Sequence, residues 1–158
     1  MVTSLKICSI GHRYIVVTNL MIKFLTDFFE NCILNENVSS FIFGSKSQFN
    51  DLCYDIVSNL EKKYPHIKRI YYMSYDFELE ERFKDMYLEH YEDVLVPQKV
   101  FKSGKLAYVK RNEAMIDDSD ICLFYYNENS NNLKSGTKIA FEYAKKKKKK
   151  IVNIFDKI

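Results

Sequence analysis

The stretch VSSFIFGSKSQFNDLCYDIVSNL, Val38 to Leu60, changes its hydrophobic period partway along. Val38 to Phe43 is a short β-branched and aromatic run of strand length. After Gly44-Ser45-Lys46-Ser47 the apolar residues recur as Phe49, Leu52, Cys53, Ile56, Val57 and Leu60, the three-and-four spacing of one buried helix face. A serine just before that stripe is placed to cap the helix by accepting a bond from one of its free N–H groups. The reading is strand, glycine-marked turn, helix.

The same unit recurs on both sides. Leu5 to Ile10 reads as a strand that leads, through Gly11-His12-Arg13, to the stripe Met21, Phe24, Leu25, Phe28, Phe29, Cys32 and Ile33. Downstream of the Tyr64-Pro65 stop, Ile67 to Met73 reads as a strand and Phe77 to Tyr91 as a helix, with Pro97 as a break beyond it. Leu106 to Val109 is expected as a short strand leaving through Lys110-Arg111-Asn112, and Arg111 to Ile116 as a short helix. Ile121 to Tyr126 is a strand, Asn127 to Asn132 a loop, Gly136 to Lys148 a helix, and Ile151 to Phe155 a last strand. A parallel strand connection must cross over through a helix, so this alternation predicts an α/β fold: a Rossmann-like, mostly parallel sheet with helices on both faces. A chain of 158 residues makes one domain, 1–158, with no linker.

Composition narrows the class. Hydrophobic residues make up 47% and charged residues 28%, too apolar for a disordered chain. The net charge of +3 is local to the run Lys145 to Lys150; without it 18 basic residues face 21 acidic ones. A lysine run at a helix C-terminus complements the macrodipole while its stems cover apolar surface, so nucleic acid is not expected as a partner. Cys8, Cys32, Cys53 and Cys122 sit in apolar surroundings without metal-ligand spacing and read as reduced core residues, and no metal or cofactor is expected. No export signal or membrane-length apolar run is visible, which predicts a cytoplasmic protein without a membrane partner.

Three of the four glycines, Gly11, Gly44 and Gly136, fall between a strand and a helix or at a helix start. Glycine there permits positive φ and close approach of a ligand, while the next helix offers free N–H groups to an anion. In open α/β sheets such turns gather at the carboxyl ends of the strands. The candidate ligand-binding set is therefore Gly11, His12 and Arg13; Gly44, Ser45, Lys46 and Ser47; Arg111 and Asn112; and Ser135, Gly136 and Thr137. Guanidinium forks, hydroxyls and backbone N–H groups suit phosphate or ribose. Among the tyrosines at strand ends, Tyr71, Tyr72, Tyr75, Tyr125 and Tyr126, Tyr125 is the one expected to stack a base, because it is nearest in the chain to the Ser135–Thr137 turn.

The strand followed by Gly11-His12-Arg13, the Phe43-Gly44-Ser45 turn, the segment Arg111 to Asp120 and the segment Ser135 to Ala144 occur in the order that resembles the YpsA-like branch of the SLOG superfamily. That resemblance spans Ile7 to Phe155 and implies a Rossmann-like fold, a nucleotide-related ligand and a homodimer. The superfamily includes phosphoribohydrolases, single-strand DNA binders of the DprA type and nucleotide-sensing domains. The phosphoribohydrolases carry a PGGxGTxxE signature whose glutamate serves N-glycosidic cleavage. Here Ala140 stands at that position, and alanine moves no proton. Glu142 lies about 200° further round the helix and is the catalytic candidate only if the chain is an enzyme. In nucleoside deoxyribosyltransferases, which end in a similar motif, the corresponding aspartate would be Asp120. The expected function is binding, as sensor or sequestrant, of an ADP-ribose-like or dinucleotide molecule. An N-glycosidic hydrolase or deoxyribosyltransferase is the alternative, and single-stranded nucleic-acid binding the second alternative.

Overall fold

The computed structural model describes residues 3–74, 81–97, 104–129 and 135–158. Strands β1 (Leu5–Gly11), β2 (Val38–Phe43), β3 (Lys68–Tyr72), β4 (Asp93–Leu95), β5 (Ile121–Tyr125) and β6 (Lys150–Asn153) form one sheet in the order β4-β3-β2-β1-β5-β6. Every neighbouring pair is parallel. The connecting helices are α1 (Asn19–Asn35), α2 (Gln48–Lys63), α3 (Glu81–Leu88), α4 (Gly104–Asp117) and α5 (Gly136–Lys146). The chain winds from β1 out to β4, then returns to pair β5 with the free side of β1. The topological switch point, where connections leave in opposite directions, therefore lies between β1 and β5.

Side chains of the central strands alternate between two cores, as a period of two requires. Ile7, Phe41, Phe43 and Leu123 pack with Met21, Leu25 and Phe29 of α1 and Phe49, Cys53 and Val57 of α2. Cys8, Ile10, Ile42, Cys122 and Phe124 face the other way onto Met115 and Ile116 of α4 and Ala140, Phe141 and Ala144 of α5. Phe29, Phe41, Phe43, Phe49 and Phe124 are fully buried, each stabilising the fold by about 1.5–3 kcal/mol relative to exposure. All four cysteines are buried free thiols, and burial pushes the Cys32 thiol up to about 11.

Two readings of the sequence are corrected. Leu106 to Val109 is not a strand, and Lys110-Arg111-Asn112 is no strand exit; all belong to α4. The buried positions of α4 are Ala107, Arg111, Asn112, Met115, Ile116 and Ser119 just beyond its end, a helical spacing in which polar residues occupy inward places and erase the apolar stripe. Strand β4 has no counterpart in the sequence pattern, because only Val94 of its three residues is buried. Of the Phe77–Tyr91 helix, Glu81–Leu88 is helical, and residues 77–80 lie outside the described residues.

None of the described glycines adopts positive φ. What Gly11 and Gly44 supply is space. A Cβ on Gly11 would overlap the Phe49 ring, and one on Gly44 would lie 2.7 Å from the Tyr72 carbonyl oxygen, whereas a Cβ on Gly136 would meet nothing within 4 Å. Gly11→Ala is expected to destabilise the protein by about 1–3 kcal/mol through overpacking, and Gly136→Ala to leave stability within about 0.5 kcal/mol or raise it slightly. Urea denaturation of the two variants checks this; equal midpoints would contradict it.

Candidate functional site

The exits of β1 and β5 are tied together before any ligand is considered. The His12 amide donates to the Tyr125 carbonyl at 3.2 Å, and the Asn127 amide donates to His12 Nε2 at 2.8 Å. An imidazole that accepts at Nε2 carries its proton on Nδ1 when neutral. Burial lowers the His12 pKa below the ordinary 6.5, in keeping with that neutral acceptor. On the other side of β1, the Gln48 amide donates to the Arg13 carbonyl at 2.9 Å, and Gln48 Oε1 accepts from the Ile15 amide at 2.8 Å. The α2 N-terminus is thereby held against the β1 exit.

Both helix starts near the switch point are capped by serines, that of α2 as its sequence suggests. Ser47 Oγ accepts from the Asn50 amide at 3.0 Å, and Ser135 Oγ accepts from the Lys138 amide at 3.0 Å. Buried Asn50 also accepts from the Gly44 amide at 3.2 Å, fixing the turn after β2. Each helix N-terminus carries about half a positive charge on its unsatisfied N–H groups.

These elements surround a cleft of about 640 Å³ lined by Ile10, Gly11, His12 and Arg13 from β1 and its exit, and Ser45, Lys46 and Ser47 before α2. Lys105, Tyr108, Arg111 and Asn112 of α4, with Ser135, Gly136 and Thr137 at α5, complete its wall. The structure thus brings together all of the candidate ligand-binding residues except Gly44 and Tyr125. Gly44 lines an adjoining hollow instead. The Tyr125 ring packs against Phe49, Phe155 and the edge of His12 and is absent from the lining. Tyr126 and Tyr72 are buried in the core, and Tyr75 lies outside the described residues.

The cleft is cationic. Arg13, Lys46, Lys105 and Arg111 reach it, and no carboxylate is among its described lining residues. Arg111 is buried, donates to Asn112 Oδ1 at 3.3 Å and lies 5.2 Å from the Tyr108 ring centre. The Ser45 hydroxyl is buried without a hydrogen-bond partner among the described residues. Besides Ile10 at the end of β1, Lys105 and Tyr108 are wall residues that sequence reading misses, because the Leu106–Val109 run has the look of a strand; the signal is their spacing from Arg111 on one helix.

The candidate carboxylates lie elsewhere. Glu142 is exposed on α5 and is not part of the lining, while Ala140 is buried against the sheet. Asp120 precedes β5 and accepts from the Lys6 amide at 2.9 Å, at the sheet edge opposite the cleft. Lys145–Lys150 also sits at that far edge, where Lys149 donates to the carbonyls of Asp117 and Ser119 at 3.1 and 3.0 Å.

A parallel six-stranded sheet with helices on both faces and a cationic cleft at its switch point defines a Rossmann-like α/β class. A family model described as the YspA SLOG family matches residues 15–157, and the chain belongs to that family. It is also similar to a structure of DNA processing protein A from Helicobacter pylori, solved to describe its single-stranded DNA binding mode. The TM-score is 0.62 at 17% identity, over 94% of this chain and 64% of that one, so this chain spans less than two thirds of that relative's length. No curated protein sequence matches. The likeness overturns the expectation that nucleic acid is not a partner, which had rested on the lysine run: a chain of this fold binds single-stranded DNA. No described helix is long and apolar enough to cross a membrane.

Protonating His12 removes its acceptor. Because the fold holds the imidazole neutral, its contribution to stability is present above about pH 6.5 and is lost as pH falls through the lowered folded pKa. The thermal midpoint of the wild type is expected to drop more between pH 7 and pH 5 than that of His12→Gln, whose amide oxygen accepts at both. Parallel midpoint curves would contradict the role.

Proposed function

We propose that the cleft binds a nucleotide-derived ligand through its phosphates and ribose, and that the protein senses or sequesters the ligand without cleaving it. The observation that carries this reading is the lining itself: cationic side chains from three segments, two capped helix N-termini and the Thr137 hydroxyl converge, with no carboxylate among the described lining residues. Arginine forks and helix N-termini recognise phosphate oxygens, and hydroxyls recognise ribose. Cleavage of an N-glycosidic bond needs a carboxylate beside the reacting carbon. The burial of Ala140 and the exposure of Glu142 away from the cleft favour binding over cleavage.

A second reading has an observation of its own. Likeness in fold to a single-stranded DNA binder favours a nucleotide unit presented within a strand. On that reading the phosphates would run through the cationic cleft, since the lysine run occupies the opposite edge of the sheet.

Arg13 is exposed at the mouth, so its removal leaves the core untouched. Arg13→Ala is expected to weaken binding of adenosine diphosphate about 10- to 100-fold, the loss of one charge-assisted contact of about 1.5–3 kcal/mol. Calorimetric titration, with the melting temperature as a folding control, makes the measurement. Unchanged affinity would count against the cleft. A steep fall in oligonucleotide affinity with salt, with no binding of the free nucleotide, would favour the strand reading.

A further inference from the structure

Beside the cleft, across a seam formed by Arg13, Ser45, Lys46 and Ser47, opens a second hollow of about 360 Å³. Beyond the seam its chemistry changes. The walls are Tyr14, Tyr71, Tyr87 and Tyr91, and Asp51 is the carboxylate among its described lining residues. Tyr71 and Tyr87 are stacked on each other at 3.8 Å between ring centres, and the Tyr71 hydroxyl lies 3.1 Å from that of Tyr87. Lys46 Nζ donates to the Tyr87 hydroxyl at 3.2 Å, which orients the lysine along the seam.

Tyr14 differs from the other three. It is 76% exposed and makes no ring contact among the described residues, although it lines the same hollow. An aromatic ring held at a cavity lip with its face open is a stacking platform. Asp51 is exposed in the first turn of α2, and its carboxylate only accepts hydrogen bonds. A carboxylate repels phosphate, so the two hollows select opposite chemistries.

We propose that this annex is a base subsite, in which an aromatic base stacks on Tyr14 and presents adjacent N–H donors to Asp51, while the attached phosphates cross the seam into the cationic cleft. The donor pattern is that of guanine, whose N1–H and 2-amino group match the two oxygens of one carboxylate. The inference rests on the reading of the cleft as a phosphate site. It adds which end of the ligand lies where, and which base edge is read.

Binding of inorganic pyrophosphate, guanosine diphosphate and inosine diphosphate to the wild type, Tyr14→Ala and Asp51→Asn, measured by calorimetry, tests it. Tyr14 is exposed and Asp51 lies on a helix surface, so both variants are expected to fold, with circular dichroism and melting temperature as the check. Tyr14→Ala should weaken guanosine diphosphate about 5- to 100-fold and leave pyrophosphate unchanged. Asp51→Asn should abolish the preference for guanosine over inosine diphosphate, which differ only in the 2-amino group. If pyrophosphate binds and neither ratio responds, the annex is no base subsite although the cleft reading stands. If the wild type binds none of the three, both readings fall.

Discussion

At the last residue of β1 there is no room for a side chain. The Phe49 ring lies where a Gly11 Cβ would be, so the first turn of α2 approaches the strand more closely than any other residue at position 11 would permit. That approach lets the Gln48 amide reach the Arg13 carbonyl and lets the Gln48 side chain hold the Ile15 amide. On the opposite flank, Gly11 pairs with Tyr125, and the His12 amide and imidazole bind the exit of β5. The switch point is therefore a built joint. Both flanks of β1 are fixed by hydrogen bonds, and the capped N-termini of α2 and α5 face the same gap. Glycine acts here through volume, since none of the described glycines needs positive φ.

Much of this was legible in the chain because strands and helices write different periods. The Val38–Leu60 stretch changes period at Gly44, and the structure changes element there. The turns after β1 and β2 and before α5 carry the polar groups that meet in the cleft, since a parallel sheet brings all such turns to one edge. Legibility failed where polar residues take over a packing face. On α4 the inward positions include Arg111 and Asn112, so a helix of ordinary length presents no apolar stripe, and Lys105 and Tyr108 escape notice with it. Tyr125 shows the converse limit. Nearness in the chain to the α5 turn suggests a stacking role, but its ring is committed to Phe49 and Phe155.

The electrostatic layout separates two edges of the sheet. At the carboxyl edge, positive groups line a cleft whose described walls hold no carboxylate. At the amino edge, Asp120 binds the start of β1 and Lys149 closes the end of α4, so both charges make structural ties there. Membership of the SLOG family sets the scaffold. The described cleft lining holds no carboxylate, and Ala140 of α5 is packed against the sheet, which is the basis of the proposal that the cleft binds rather than cleaves.

The most direct measurement is an amide chemical-shift titration of the isotope-labelled protein with adenosine diphosphate. Binding at the switch point requires the largest shifts at Gly11–Arg13, Ser45–Ser47 and Ser135–Thr137, with Lys145–Lys150 unmoved. Shifts concentrated on the lysine run, or none at the three turns under saturating nucleotide, would contradict it.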